Sequence, residues 1–198
     1  NVSESKPLVL QPHSSLVSTI SLETPVAGSY AQLLTAAVLT VLGSPAAVGS
    51  FRPPYCGADK TVRFNKTALN YSLLKSLSPV SNTPTLSSVE RLFERPWIDH
   101  IGIWVGRYHH PKENMAEYGR DIHRDIGVGA LMLHLNFTPA EKETLLVRYV
   151  QLGIDLYGIA TNGGTKNWTG EGGHGGGRKW PILFAGMMLS DPSMEAIG

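Results

Sequence analysis

The most restrictive feature of this 198-residue sequence is a very short link between two long amphipathic segments. The first segment, from about Glu113 to Leu135, repeats apolar residues at helical spacing. Two residues later, Thr138-Pro-Ala-Glu141 has Thr at the N-cap, Pro at N1 and Glu at N3, which is the capping-box pattern. It begins a second helix that we expect to run to about Ile159. So short a link predicts that the two helices are antiparallel.

The neighbouring segments also favour helices. Leu86 to Glu94 predicts a helix that ends before Pro96, and Trp180 to Leu189 is apolar nearly all round, which is typical of a buried helix. A Gly-rich loop, 161–177, separates this helix from the antiparallel pair, and Asp191-Pro-Ser-Met-Glu begins another. The succession predicts a mainly α fold of stacked antiparallel helical hairpins, an (α/α) toroid or part of one. A self-contained helical bundle is the alternative.

The first part of the chain is less regular. We expect residues 1–60 to be irregular with one helix, at Ser29 to Leu42, where apolar residues recur at helical spacing before Gly43 and Pro45. Alternation over Leu16 to Leu22 predicts a short strand, and Arg52 to Gly57, with two prolines, predicts a loop. Residues 61–198 are expected to form the helical hairpins, beginning with a short helix at Thr67 to Leu77.

Domain organisation follows from length and from the last helix. The length fits one α/α domain, 1–198, or the N-terminal portion of a larger one. A helix begins at Ser193-Met-Glu195, only a few residues before Gly198, and the buried-type helix before it needs a partner. We therefore expect a homo-oligomer or association with further chain.

Composition excludes several classes of protein. The chain has 17 Lys and Arg against 16 Asp and Glu and no basic run, which argues against a nucleic-acid partner. The longest apolar stretch, 31–42, is too short and too mixed to span a membrane. The single cysteine, Cys56, excludes an intramolecular disulfide; as a nucleophile it is disfavoured, because a lone loop cysteine is more often inert.

Five N-x-[ST] sequons point towards secretion and glycosylation. None has Pro in the middle position, so all are permitted acceptors. They begin at Asn1, Asn65, Asn70, Asn136 and Asn167. The alternative is that they occur by accident in a Ser- and Thr-rich chain.

The strongest functional candidate is Glu171-Gly-Gly-His174-Gly-Gly-Gly-Arg178-Lys179-Trp180. Glycines allow close approach of the backbone to a ligand, and the helix that follows presents unpaired N–H groups and a positive dipole end. With His174, Arg178 and Lys179, the segment predicts an anion site for phosphate or carboxylate. It lacks the order of a phosphate-binding loop, so a nucleotide is not expected. The alternative is a flexible, solvated loop.

Two further candidates contain histidine. Arg107-Tyr108-His109-His110-Pro111 offers a base for neutral pH and aromatic surface for sugar rings, although the adjacent histidines point apart and do not predict a metal site. His123 lies among small residues of the long helix and is expected either to be a core histidine or to point into a cleft. Its neighbours Arg120, Asp121 and Arg124 are spaced for structural ion pairs.

The Gly-rich segment running into Trp-Pro-Ile-Leu-Phe-Ala-Gly, after an antiparallel helix pair, resembles the helical-toroid polysaccharide lyases, especially those that act on alginate or glucuronan. The resemblance covers about residues 95–190. It implies β-elimination on an anionic uronic-acid polymer. We expect no cofactor and no metal.

The lyase reaction assigns roles to these residues. A cation must neutralise the C6 carboxylate, a base must take the C5 proton and an acid must protonate O4. Arg178 or His174 suits the first role, and Tyr108 or His109 suits the others, with His123 as a further catalytic candidate. The residues expected to bind substrate are Lys179, Trp168, Trp180, Glu171 and Arg107. The alternatives are a non-catalytic carbohydrate-binding or structural portion, and a glycoside hydrolase, which needs two carboxylates for which Glu171, Asp59 and Asp121 are candidates.

Overall fold

The computed structural model describes residues 3–21, 23–24, 33–99, 108–109, 119–164, 168 and 175–197. These residues form four strands, five α-helices and two single-turn 3-10 helices. The strands are β1 (Ser14–Ser21), β2 (Leu33–Val41), β3 (Ile98–Asp99) and β4 (Tyr108–His109). The helices are α1 (Leu86–Leu92), α2 (Gly119–Leu133), α3 (Pro139–Thr161), α4 (Gly176–Leu189) and α5 (Pro192–Glu195), with the 3-10 helices at Lys66–Ala68 and Tyr71–Leu73.

The prediction of an (α/α) toroid is wrong. The chain combines helices with two antiparallel two-stranded sheets, β1–β2 and β3–β4, and is a small α+β domain. In the described part of residues 1–60, β1 and β2 form an antiparallel pair where one helix is expected, and residues 61–198 include strands as well as helices.

One wrong prediction concerns the segment Ser29 to Leu42, where the sequence favours a helix. Its described part forms β2, which pairs with β1 in antiparallel register, Val17 opposite Val38. Apolar residues are so dense here that they satisfy both the helical period and the strand period, and the Val and Thr residues favour the strand. Leu33 and Ala36 of β2 are buried with Ile98 in a small cluster separate from the main core.

The predicted helix at Thr67 to Leu77 is also wrong, because two 3-10 turns take its place. Asn65 accepts a hydrogen bond from the Thr67 N–H at 3.1 Å, and Asn70 accepts one from the Ser72 N–H at 3.2 Å. Such local side-chain bonds compete with the α-helical pattern.

The predictions of β1, α1, α3 and α5 are confirmed, within a few residues at their ends. The capping box of α3 is present: the Thr138 N–H donates to Glu141 at 2.8 Å, and the Glu141 N–H donates to the Thr138 hydroxyl at 3.3 Å. The described part of the predicted helix from Glu113 begins at Gly119, and the buried helix begins at Gly176, four residues before Trp180.

The main core lies between α3, α4 and α2, with α1 against one side. Tyr149 is at its centre, fully buried, with its ring against Phe93 and Phe184 and its hydroxyl donating to the Ile126 carbonyl at 2.8 Å. A Cβ added to Gly153 of α3 would lie 2.2 Å from the Pro181 carbonyl oxygen. The lack of a side chain at Gly153 therefore lets α3 and α4 approach closely. This packing fixes the position of α4, which carries much of the candidate site.

Candidate functional site

A shallow groove of about 490 Å³ lies between α2 and α4. α2 contributes His123, and α4 contributes Lys179 and Trp180. These residues belong to two motifs that are far apart in the sequence, and of the two positions predicted for His123, core or cleft, the structure has the cleft. The fold therefore brings candidates from both motifs into one place, which we call the α2–α4 groove.

Glycines allow the first turn of α4 to touch α2. A Cβ added to Gly177 would lie 2.8 Å from Cγ2 of Ile122, and one added to Gly176 would lie 2.9 Å from Nδ1 of His123. A side chain at either position would displace these neighbours. At Gly127 of α2, by contrast, no described atom lies within 4 Å of an added Cβ, so the groove is open there. The glycine run thus positions His123 beside the start of α4.

The α4 side of the groove combines an aromatic ring with positive charge. Trp180 is 37% exposed, and its ring is tilted against Phe184, with 6.3 Å between the ring centroids. Lys179 precedes it and is exposed. Both lie in the first turns of α4, where the helix dipole adds positive potential. The surface therefore suits an anionic ligand that also has a flat, partly apolar face.

Arg178 does not face this groove. Its side chain has no exposed surface, and its guanidinium carbon lies 5.4 Å from the centroid of the Trp168 ring. Trp168 itself is half-buried against the main core. Arg178 thus connects the start of α4 to Trp168, and Lys179 is the cation of this helix that reaches the surface.

Of the ion pairs predicted on α2, the pair of Asp121 with Arg124 is present. The Asp121 carboxylate is buried, with Arg124 at 3.3 Å and Arg120 at 3.4 Å. Asp59, the other described hydrolase candidate, lies outside the α2–α4 groove. The two described carboxylates named for hydrolysis therefore do not flank this groove, and in the described part of the chain no group of three or more His, Cys, Asp or Glu is arranged to hold a metal ion.

Several candidates cannot be placed in the groove. Tyr108 and His109 form β4, where His109 pairs with Ile98 and Tyr108 with Asp99. The candidates that lie outside the described residues are Arg107, Glu171, His174, Asn1 and Asn167.

Of the described sequons, Asn136 is exposed, between α2 and α3. Asn65 and Asn70 are half-buried and cap the 3-10 turns. The amide nitrogen of Asn65 also donates to the Val48 carbonyl at 2.9 Å.

A second polar centre has no counterpart among the sequence predictions. The carboxylate of Asp155, on α3, accepts two hydrogen bonds from the Arg52 guanidinium and one from the Tyr55 N–H at 3.2 Å. Gln151, one turn earlier, accepts from the Arg52 N–H at 2.9 Å and donates to the Arg52 carbonyl at 3.1 Å. Together these bonds fasten the loop that begins at Arg52 to α3. The signal that was available is the presence of two polar residues, four apart, on a buried helix.

Burial perturbs the charged groups of this centre. It raises the pKa of Asp155, and the Arg52 charge acts in the opposite direction. Burial also lowers the pKa of Lys60, whose ammonium group donates to the carbonyls of Pro54 at 2.7 Å and Tyr55 at 3.2 Å. The same loop is thus fixed by two cations, the half-buried Arg52 and the buried Lys60.

Comparisons of this chain with protein-family models, curated proteins and solved structures gave no match. The resemblance to polysaccharide lyases therefore depends on the sequence motif alone. Among the described helices, none is both long enough and apolar enough to cross a membrane.

Proposed function

We propose that this chain is a polysaccharide lyase that cleaves a uronic-acid polymer of the alginate or glucuronan type by β-elimination in the α2–α4 groove. The observation that carries the proposal is the convergence of His123, Lys179 and Trp180. An imidazole, an ammonium and an exposed indole are the groups needed to move a proton, neutralise a carboxylate and hold a sugar ring.

Each group has a role in the reaction. The Lys179 ammonium pairs with the C6 carboxylate and makes the C5 proton more acidic. The His123 imidazole takes that proton, the electron pair forms the C4–C5 double bond, and the O4 bond breaks with its electrons on the leaving sugar. That oxygen needs a proton from an acid, for which Tyr108 and His109 are the sequence candidates.

Arg178 has a positioning role in this proposal. A fully buried guanidinium cannot contact a polymer in the groove, but it can hold the Trp168 ring beside the start of α4. In this proposal, Lys179 and not Arg178 therefore pairs with the C6 carboxylate of the substrate.

The proposed location of the protein is extracellular, and its proposed state is glycosylated and oligomeric. The sequons favour a secreted glycoprotein, and Asn136 is the described acceptor with the most accessible position. A homo-oligomer, or association with further chain, is retained as the proposed assembly.

The test measures the ultraviolet absorbance of the unsaturated uronate product on alginate, polyglucuronate and a neutral glucan. We expect absorbance to rise with one of the polyuronates and not with the glucan. His123→Ala should reduce turnover about 10²- to 10⁴-fold, the range for loss of a general base. Lys179→Gln should reduce it about 10- to 100-fold, because an ion pair in an open groove is partly screened by water.

Trp180→Ala has a matched control on the same helix. Met187 is also 37% exposed but does not line the groove. Trp180→Ala should raise KM about 2- to 10-fold through loss of ring stacking, whereas Met187→Ala should leave KM unchanged.

Reducing ends without absorbance would indicate a hydrolase, and binding without either product would indicate a non-catalytic module. Each result would contradict the proposal.

A further inference from the structure

A second cavity lies against the last turns of α3, and it shares no residue with the α2–α4 groove. It measures about 420 Å³ and lies between the loop 51–64, the last turns of α3 and the start of α5. We call it the Arg63 cleft, after the arginine on its rim. Its volume is within the range of small-molecule sites, about 300–1,000 Å³.

The loop that forms one wall is fixed by buried polar contacts. Arg52 is paired with the buried carboxylate of Asp155, and the Lys60 ammonium holds two carbonyls of the same loop. Gly57, with φ of 84°, lies so close to Asn162 that a Cβ there would be 2.4 Å from its amide nitrogen. Ordering a loop and burying its charges both cost free energy. In this protein that cost is met on folding, before any ligand binds, so the wall of the cleft is preorganised.

The charges that line the cleft are paired within the protein. Arg52 pairs with Asp155, and Arg63 pairs with Asp59 at 2.6 Å. Asp191 accepts hydrogen bonds from the first N–H groups of α5. Since the cations already have carboxylate partners, a charged ligand would gain little here and would have to break a pair.

The remaining lining is of the kind that recognises hydroxyl groups. Asp59 and Arg63 are both more than half exposed, and their ion pair presents acceptors and donors side by side at the rim. Vicinal hydroxyls of a sugar each donate and accept, so they match such a pair. Thr61 and Asn162 add a hydroxyl and an amide, while Tyr157 adds an aromatic ring.

From this lining we propose that the Arg63 cleft binds a neutral hexose, either free or as a unit of a neutral glycan. This site is separate from the proposed lyase groove and does not depend on it. Its ligand class differs as well, because the α2–α4 groove presents positive charge and the Arg63 cleft presents internally paired charges.

The test combines ligand-observed NMR with alkylation of the single cysteine, Cys56, which lines the cleft. The probes are the methyl glycosides of glucose, galactose and mannose. Sodium glucuronate is the anionic control, and 2-(hydroxymethyl)tetrahydropyran has the same ring without its ring hydroxyls. At least one methyl hexoside should give a saturation-transfer signal and slow alkylation of Cys56 by iodoacetamide, and neither control should do so.

Variants of the rim locate the site. Arg63→Gln and Asp59→Asn should each weaken hexoside binding about tenfold, which corresponds to the loss of one charge-assisted hydrogen bond. Both residues are exposed, so folding should be unaffected. Arg120→Gln, an exposed arginine of α2 outside the cleft, and Trp180→Ala, in the other groove, should both bind normally.

Three results would overturn the assignment. One is the absence of binding and of Cys56 protection with all three hexosides. Another is equal or stronger protection by glucuronate or by the tetrahydropyran, which would indicate an anionic or apolar ligand. The third is hexoside binding that Arg63→Gln and Arg120→Gln weaken equally, or that Trp180→Ala abolishes. A raised KM for the polyuronate in Trp180→Ala, with unchanged hexoside binding, would separate the two proposals.

Discussion

Replacement of Arg52 by Gln tests the buried ion pair that fixes the loop to α3. The Asp155 side chain is 4% exposed and the Arg52 side chain 20%. Removing one partner of a buried pair costs about 3–5 kcal/mol. The partial exposure of Arg52 and the backbone bonds from Gln151, which remain in the variant, reduce this to about 2–4 kcal/mol near pH 8. For a chain of this length, that corresponds to a decrease in Tm of about 6–12 °C.

The pH dependence of this loss follows from the pKa of Asp155. Burial raises the pKa of this carboxyl in the folded state, and Arg52 opposes the increase. A folded state that holds a proton more tightly than the unfolded state loses stability as the pH rises from the ordinary carboxyl pKa through the folded pKa. Without Arg52 the folded pKa is higher still. The difference between wild type and Arg52→Gln should therefore be small near pH 4 and reach its full value near pH 8.

The assay is urea unfolding followed by far-ultraviolet circular dichroism at both pH values. Arg63→Gln is the matched control, because its pair with Asp59 is exposed and should contribute no more than about 1 kcal/mol. A loss below about 0.5 kcal/mol near pH 8, or a loss of equal size at both pH values, would refute the reasoning.

Three other predictions concern packing, capping and modification. Gly153→Ala should lower the free energy of unfolding by about 1–3 kcal/mol, because the added Cβ meets the backbone of α4. Gly127→Ala, where the space is open, should stabilise α2 by about 0.5–1 kcal/mol. Equal effects of the two substitutions in urea unfolding would contradict the close contact between α3 and α4. Lys142→Met should lower the free energy of unfolding by about 1–3 kcal/mol, because the buried ammonium donates to two carbonyls at the end of α2. An unchanged urea midpoint would contradict this capping role. In a secretory host, peptide mass spectrometry should find glycan at Asn136 and less at Asn65, whose amide is hydrogen-bonded; the reverse order would contradict the prediction.

The elements that the sequence predicts correctly are those with redundant local signals. α3 has an N-cap Thr, Pro at N1 and Glu at N3, and its capping box forms as expected. α1 and β1 are short but have one clear period each. Segment 33–41 has apolar residues at both periods, and its structure is decided by pairing with β1, a non-local contact that periodicity does not report.

The same distinction holds for the candidate site. The sequence singles out His123, Lys179 and Trp180 because they are unusual residues near glycines, and in the structure the glycines at the start of α4 allow α2 and α4 to meet. Arg178 is a sequence candidate for neutralising the C6 carboxylate, but its burial depends on where α4 packs, which the sequence does not reveal. The cleft wall depends on Arg52 and Asp155, which are 103 residues apart, so only the folded chain shows their pairing.

The most direct test of the central proposal is the fate of oxygen from water during cleavage of the preferred polyuronate. The reaction is run in water enriched in the heavy oxygen isotope, and the products are weighed by mass spectrometry. A β-elimination predicts products that contain an unsaturated uronate and no heavy oxygen incorporated by cleavage, formed by the wild type and nearly absent with His123→Ala. Products that incorporate heavy oxygen and lack the double bond, or unsaturated products formed equally by both proteins, would contradict it.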